Sequence, residues 1–268
     1  MADSLEELLK GSPVTGSIND LPGHAAQKSL LMIFIVDISG SMSGERIDRV
    51  NEAFRTMVPT LQQIQTEVND AFELSIAVLT FGTNAQWIVP PTPIMAYVHE
   101  DLRADGGGTQ YGTMLRELQS KLSRQAYMAH KGKIAAPYIM LMTDGKPLDS
   151  DYETVIEELQ NNLWYFHAQR YAVLIGRKAI NDAKARSAVQ AFVSDAGEGI
   201  VTAEDAQAIV ETVSAKTIHT VRLMTRRGGL SAEDGAESRK NQGAGGYKGD
   251  EWEFPEGPDA IYGGDFVF

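Results

Sequence analysis

The chain has 268 residues, no cysteine and a formal net charge of −12. The missing cysteine excludes disulfides, thiolate zinc sites and cysteine nucleophiles by arithmetic, and the acidic balance argues against a nucleic-acid partner, because phosphate backbones are bound through lysine and arginine. The length suits one sizeable α/β domain with appendages.

The first residues, MADSLEELLKGSP, mix acidic side chains with leucines and lack both a basic start and a continuous apolar run, which is not the pattern of a secretory signal. No segment approaches the roughly 18 consecutive apolar residues of a membrane-spanning helix. The expectation is a soluble, cytoplasmic protein with no membrane partner. Residues 1–29 are polar and punctuated by Gly11, Pro13, Pro22 and Gly23, and read as an N-terminal extension in which Leu5, Leu8 and Leu9 suit an amphipathic turn or two.

From Leu30 the pattern changes to a buried strand that ends at Asp37. Ser43-Gly44-Glu45 then starts a helix whose apolar positions Ile47, Val50, Phe54, Met57, Val58, Leu61 and Ile64 recur every three or four residues, with a kink expected at Pro59. A second apolar run, Leu74 to Phe81, is followed at once by Gln86-Trp87-Ile88-Val89 and Pro90-Pro91. That spacing leaves no room for a crossover helix, so the two strands should pair antiparallel, the proline-bounded one at the sheet edge.

After Gly106-Gly107-Gly108, Met114, Leu115, Leu118 and Leu122 mark a helix. Tyr138 to Thr143 is a third buried strand, ending at Asp144-Gly145. Val155, Ile156, Leu159 and Leu163 define the next helix, Tyr171 to Ile175 a strand, and Ala188, Val189, Phe192 and Val193 a helix. Ile200-Val201 makes a short strand, and Ala206, Ile209, Val210 and Val213 a last helix. This alternation implies an α/β fold with a mainly parallel sheet covered on both faces. Composition shifts after Arg227: ten of the 25 glycines lie from Gly228 onward, and residues 227–268 hold nine acidic against four basic side chains without apolar periodicity. Such a tail is expected to be disordered or extended in isolation.

Three loops carry the chemistry: Asp37-Ile38-Ser39-Gly40-Ser41, Gly106-Gly107-Gly108-Thr109 and Thr143-Asp144-Gly145. In a doubly wound fold they converge at one sheet edge, where ligands of open α/β sheets bind, and bring together two carboxylates and three hydroxyls. Oxygen donors of this kind suit a hard cation, foremost magnesium, with manganese or calcium as alternatives. The triple glycine is not a nucleotide loop, since no Gly-Lys-Ser/Thr follows it.

The pattern DISGS, then GGGT, then TDG resembles the von Willebrand factor A domain and its metal-ion-dependent adhesion site, whose Asp-x-Ser-x-Ser motif, distant Thr and distant Asp match Asp37, Ser39, Ser41, Thr109 and Asp144. The resemblance implies a Rossmann-like fold over about residues 30–222, a 223–268 tail beyond it, and Ser39, Ser41 and Thr109 on the metal directly, with Asp37 and Asp144 acting directly or through waters. It also implies a non-enzymatic module whose metal is completed by an acidic side chain of a protein partner. Within the family, LLMIFIVDISGSMSGERIDRVNEAF, LSIAVLTFGTNAQWIVPPTPI and APYIMLMTDGKPLDS are most similar to bacterial cytoplasmic TerY-like proteins of tellurite resistance and stress response. Those are often encoded beside a protein phosphatase and a serine/threonine kinase, which are the partners the similarity implies.

Other readings compete. A serine-glycine turn of this kind also caps helices. A haloacid-dehalogenase-like phosphotransferase with Asp37 as nucleophile requires a second carboxylate where Ser39 stands. A metal-independent scaffold would recruit a kinase or phosphatase through the outer helices and the tail, whose Trp252, Phe254, Pro255, Tyr262, Phe266 and Phe268 are candidate anchors and whose Asp259 or Asp265 is a candidate ligand for a neighbouring molecule's metal. Lys146 reads as a solvated loop charge, the alternative being to steer an acidic partner. His24, His99, His130, His167 and His219 lack ligand spacing and are expected in surface or packing roles.

Overall fold

The computed structural model describes residues 28–68, 72–129 and 134–227. Six strands form one sheet: β1 (Lys28–Asp37), β2 (Phe72–Phe81), β3 (Ala85–Pro93), β4 (Tyr138–Thr143), β5 (Gln169–Ile175) and β6 (Ile200–Ala203), in the order β3-β2-β1-β4-β5-β6. All neighbours run parallel except β2 and β3, which pair antiparallel. The expected mainly parallel sheet with one antiparallel edge strand is therefore present.

β1 sits at the centre because its sequence has no polar face. It pairs with β2 from Lys28↔Phe72 to Asp37↔Phe81 and with β4 from Met32↔Tyr138 to Val36↔Met142. Alternate side chains feed two cores. Leu31, Ile33 and Ile35 pack with α2 (Tyr111–Lys121), α3 (Tyr152–Gln160), α4 (Leu163–His167) and α6 (Ala183–Phe192). Leu30, Met32, Phe34 and Val36 pack with α1 (Glu45–Val68) and α7 (Ala206–Arg227) on the opposite face. A further short helix, α5 (Arg177–Asn181), follows β5.

Three details differ from the pattern read in the sequence. The helix expected to include Leu163 is broken before it: the Asn162 side chain accepts from Trp164 N and Tyr165 N at 2.9 and 3.2 Å, starting α4 afresh and leaving Leu163 exposed. β3 runs on through Pro90 and Pro91, which an edge strand tolerates because its outer N–H positions need no partner. The last helix continues to Arg227, across the expected boundary at residue 222. α1 is assigned as one helix through Pro59. Among the described residues no helix is long and apolar enough to cross a membrane. The 1–29 extension, apart from Lys28 and Ser29, and the tail beyond Arg227 lie outside the described residues.

Strand order reverses between β1 and β4, and the crevice at such a reversal is where open α/β sheets hold ligands. The carboxyl ends of these two strands are Asp37 and Thr143.

Candidate metal centre

Asp37 is the last residue of β1 and is fully buried. Its Oδ1 accepts the Ser39 N–H at 2.8 Å, which turns the chain sharply after the strand, and its Oδ2 accepts the Thr143 hydroxyl at 2.7 Å, which ties β1 to β4. Ser39 precedes a single 3-10 turn, Gly40–Met42, yet its side chain makes no capping bond to that turn. Its Oγ lies 3.3 Å from Ser41 Oγ instead. Ser41 Oγ donates to Asp144 Oδ1 at 2.7 Å. The other oxygen of Asp144 is held by the guanidinium of Arg46, from the first turn of α1, which also donates to Ser41 O at 3.0 Å.

The glycine loop closes over this pair. Gly40 N donates to Gly107 O at 3.0 Å and Asp105 N to Ile38 O at 2.8 Å. The approach is close enough that a methyl group at Gly40 would come within 3.3 Å of Gly106 O, and Gly106 itself takes φ +79°, a conformation that favours glycine. Thr109 is buried, and its Oγ1 faces Gly145 so closely that a methyl there would lie 3.1 Å from it. Asp37, Ser39, Ser41 and Asp144 thus form a nearly continuous hydrogen-bonded chain, and Thr109 adjoins it beside Gly145.

Burial pushes the Asp37 carboxyl up to about 6. Hydrogen bonds from Ser39 and Thr143 oppose that rise and the neighbouring Asp144 charge adds to it. The set consists of two carboxylates and three hydroxyls, all hard oxygen donors without sulfur or imidazole. Among the described residues no three His, Asp or Glu side chains gather into an alternative metal cluster. One cation, the Arg46 guanidinium, already stands on Asp144. Donor chemistry, a buried carboxylate and a position that accepts positive charge together fit a hard divalent ion.

Sequence reasoning missed Arg46, which carries no motif signal because its partner lies 98 residues away along the chain. Thr143 was read as part of the Thr143-Asp144-Gly145 loop, but its bond to Asp37, 106 residues away, was not foreseen. Lys146 is exposed, with Nζ 3.9 Å from Asp182 Oδ2, as suits a solvated loop charge. His99 has a packing role, stacked on Phe54 with ring centroids 4.7 Å apart. His24, His130, the tail aromatics, Asp259 and Asp265 lie outside the described residues.

Residues 32–146, which span all five candidate ligands, match the family model of the von Willebrand factor type A domain. The fold is that of a von Willebrand factor A domain. Its solved relatives include proximal thread matrix protein 1 of the mussel byssus, with a TM-score of 0.51 at 15% identity over 71% of this chain and 48% of that one. A second structure of that protein, described as having a zinc-occupied MIDAS motif, has the same score and identity over 72% and 48%. The pilus adhesin SpaC of Lactobacillus rhamnosus GG, in its open conformation, gives 0.56 at 14% identity over 75% and 31%. This chain therefore spans less than half the length of either protein, and these likenesses concern the fold alone. No curated protein matches the chain in sequence.

Proposed function

We propose that this chain is a non-enzymatic protein-interaction module that works through a divalent metal held by Asp37, Ser39, Ser41, Thr109 and Asp144. The observation that carries this reading is the run of hydrogen bonds from Asp37 through the Ser39 amide, the Ser39 and Ser41 hydroxyls and Asp144, which gathers both carboxylates and both serines from separate loops at the strand-order reversal. Von Willebrand A domains often mediate metal-dependent protein interactions and are typically non-enzymatic.

Magnesium is the ion we assign, because oxygen-only donors in an open site suit a small hard cation that keeps part of its water shell. When bound, it supplies the positive charge that an acidic side chain of the partner completes. The residues of this chain do the rest: Thr143 and the Ser39 amide orient Asp37, Ser41 orients Asp144, and the glycine loop brings Thr109 to the same edge. Hydroxyl ligands matter because a neutral oxygen leaves more charge uncompensated than a carboxylate would.

The similarity of the β1, β2 and β4 segments to TerY-like sequences supports a finer reading, a cytoplasmic bacterial stress or tellurite-resistance system with a serine/threonine kinase or a phosphatase among the partners. Affinity purification with and without a chelator tests the function. Chelation and Asp37→Ala should each abolish partner capture while the fold stays intact, and capture that survives both overturns the metal-bridge reading.

A further inference from the structure

Arg46 is the cation that pairs with the site's acidic groups among the described residues, and its placement is specific. Its guanidinium bridges Asp144 Oδ2 and the carbonyl oxygen of Ser41, the same two residues whose side chains are bonded to each other and proposed to serve the metal. The seat is shaped for it. Gly176, at the end of β5, takes φ +83°, and a methyl group there would come within 2.9 Å of Arg46 Nη2, so the guanidinium occupies space that a side chain would fill. Beside it opens a cleft of about 640 Å³ whose walls include Ser43, Glu45, Arg177 and Glu204. The Arg46 side chain is about one-third exposed and so has room to swing away from Asp144.

We infer that Arg46 is the resident counter-cation of this site and competes with the metal for Asp144. This inference rests on the metal-site reading above. Two ionised carboxylates and one guanidinium leave a single net negative charge. The same cluster holding a divalent ion carries one positive charge in excess, which a carboxylate from a partner cancels. Without Arg46 the two carboxylates neutralise the ion on their own. Arg46 therefore keeps ion affinity low and leaves the loaded site attractive to an acidic ligand, while in the ion-free protein it holds the Asp144 loop in place.

The test is a titration of the full chain with manganese alone, followed by paramagnetic resonance, with thermal unfolding of the metal-free protein alongside. Arg46→Gln should bind manganese about tenfold more tightly than the unsubstituted protein, within the range usual for two coupled sites. Its metal-free form should melt earlier. Arg46→Lys, which keeps the charge, should stay near the unsubstituted affinity. Arg49→Gln is the charge control, because Arg49 sits on the same helix but pairs with Glu52 at 2.5 Å, and it should change little. An affinity in Arg46→Gln that is unchanged or weaker, or a gain matched by Arg49→Gln, overturns the inference and leaves the metal site standing. No manganese binding by any of the proteins overturns both.

Discussion

Two buried charges sit at opposite ends of the same sheet, and they are treated in opposite ways. Arg170 is the second residue of β5, at the amino edge. Its Nε donates to Phe192 O at 2.8 Å, its Nη1 donates to Tyr165 O and, at 3.4 Å, to Phe166 O, and its guanidinium lies 4.1 Å over the Tyr165 ring. Those carbonyls belong to the final turns of α4 and α6, where backbone oxygens lack helical partners and where a cation is favoured. Nε and Nη1 of Arg170 are thereby engaged, and one face of its guanidinium is covered by the ring. Asp37, at the carboxyl edge, is equally buried but is held by Ser39 and the Thr143 hydroxyl, and the side chains around it, Ser39, Ser41 and Asp144, offer oxygens as well. A charge anchored on the carbonyls of two helix ends holds the fold together, whereas one surrounded by further oxygens is poised to hold something else.

The sharpest way to break this contrast is Arg170→Met. It removes the guanidinium's bonds to the carbonyls of Tyr165 and Phe192, leaving the first to Ala168 N and the second to Tyr165 Oη, and should cost about 1–3 kcal/mol in urea unfolding, with manganese affinity unchanged. A smaller effect belongs to His99, whose ring bonds to Tyr97 Oη at 3.0 Å and to Asn51 Oδ1 at 3.1 Å. Burial lowers His99 to about 4, below its ordinary 6.5. The folded state therefore binds fewer protons than the unfolded one in that interval, so the stability contributed by the neutral ring is intact above 6.5 and is lost as pH falls from 6.5 toward 4. Urea midpoints of His99→Gln should fall less over this window than those of the unsubstituted protein.

Gly145→Ala would place a methyl 3.1 Å from Thr109 Oγ1. It should cost about 1 kcal/mol and weaken manganese binding by more than that cost suggests, as calorimetric titration would show. Least of all in stability, Asp37→Asn should stay within about 1 kcal/mol of the unsubstituted protein when metal is absent, because it removes a buried charge while keeping its shape. The same substitution should erase the rise in melting temperature that manganese gives. A large loss of metal-free stability in Asp37→Asn would place Asp37 in the same structural role as Arg170 and remove the contrast.

The sheet was legible in the sequence because parallel strands buried on both faces leave unbroken apolar runs, and SLLMIFIV and YIMLM are such runs. The five candidate ligands were legible because they sit in short motifs, four of them just at or after the ends of β1 and β4 and Thr109 in the glycine loop that leads into α2, where a doubly wound topology predicts convergence. Arg46 and Arg170 were not. Each is an ordinary residue locally and acquires its role only when distant segments meet, Arg46 beside Asp144 and Arg170 against the ends of two helices; the tie of Thr143, visible in its motif, to Asp37 emerges in the same way. Asn162 was missed for a different reason, since a capping side chain inside an apolar periodic stretch leaves the period intact while splitting the helix.

The margins of the sheet carry a last consequence. β3 presents two consecutive prolines along one side, and β6 contributes only four residues on the other. Proline cannot donate a backbone hydrogen bond and a four-residue strand offers little length to copy, so neither flank is a good template for adding a strand from another chain. A protein proposed to bind others is thus guarded against sticking to them sideways, and encounters are left to the end of the sheet where the oxygens gather.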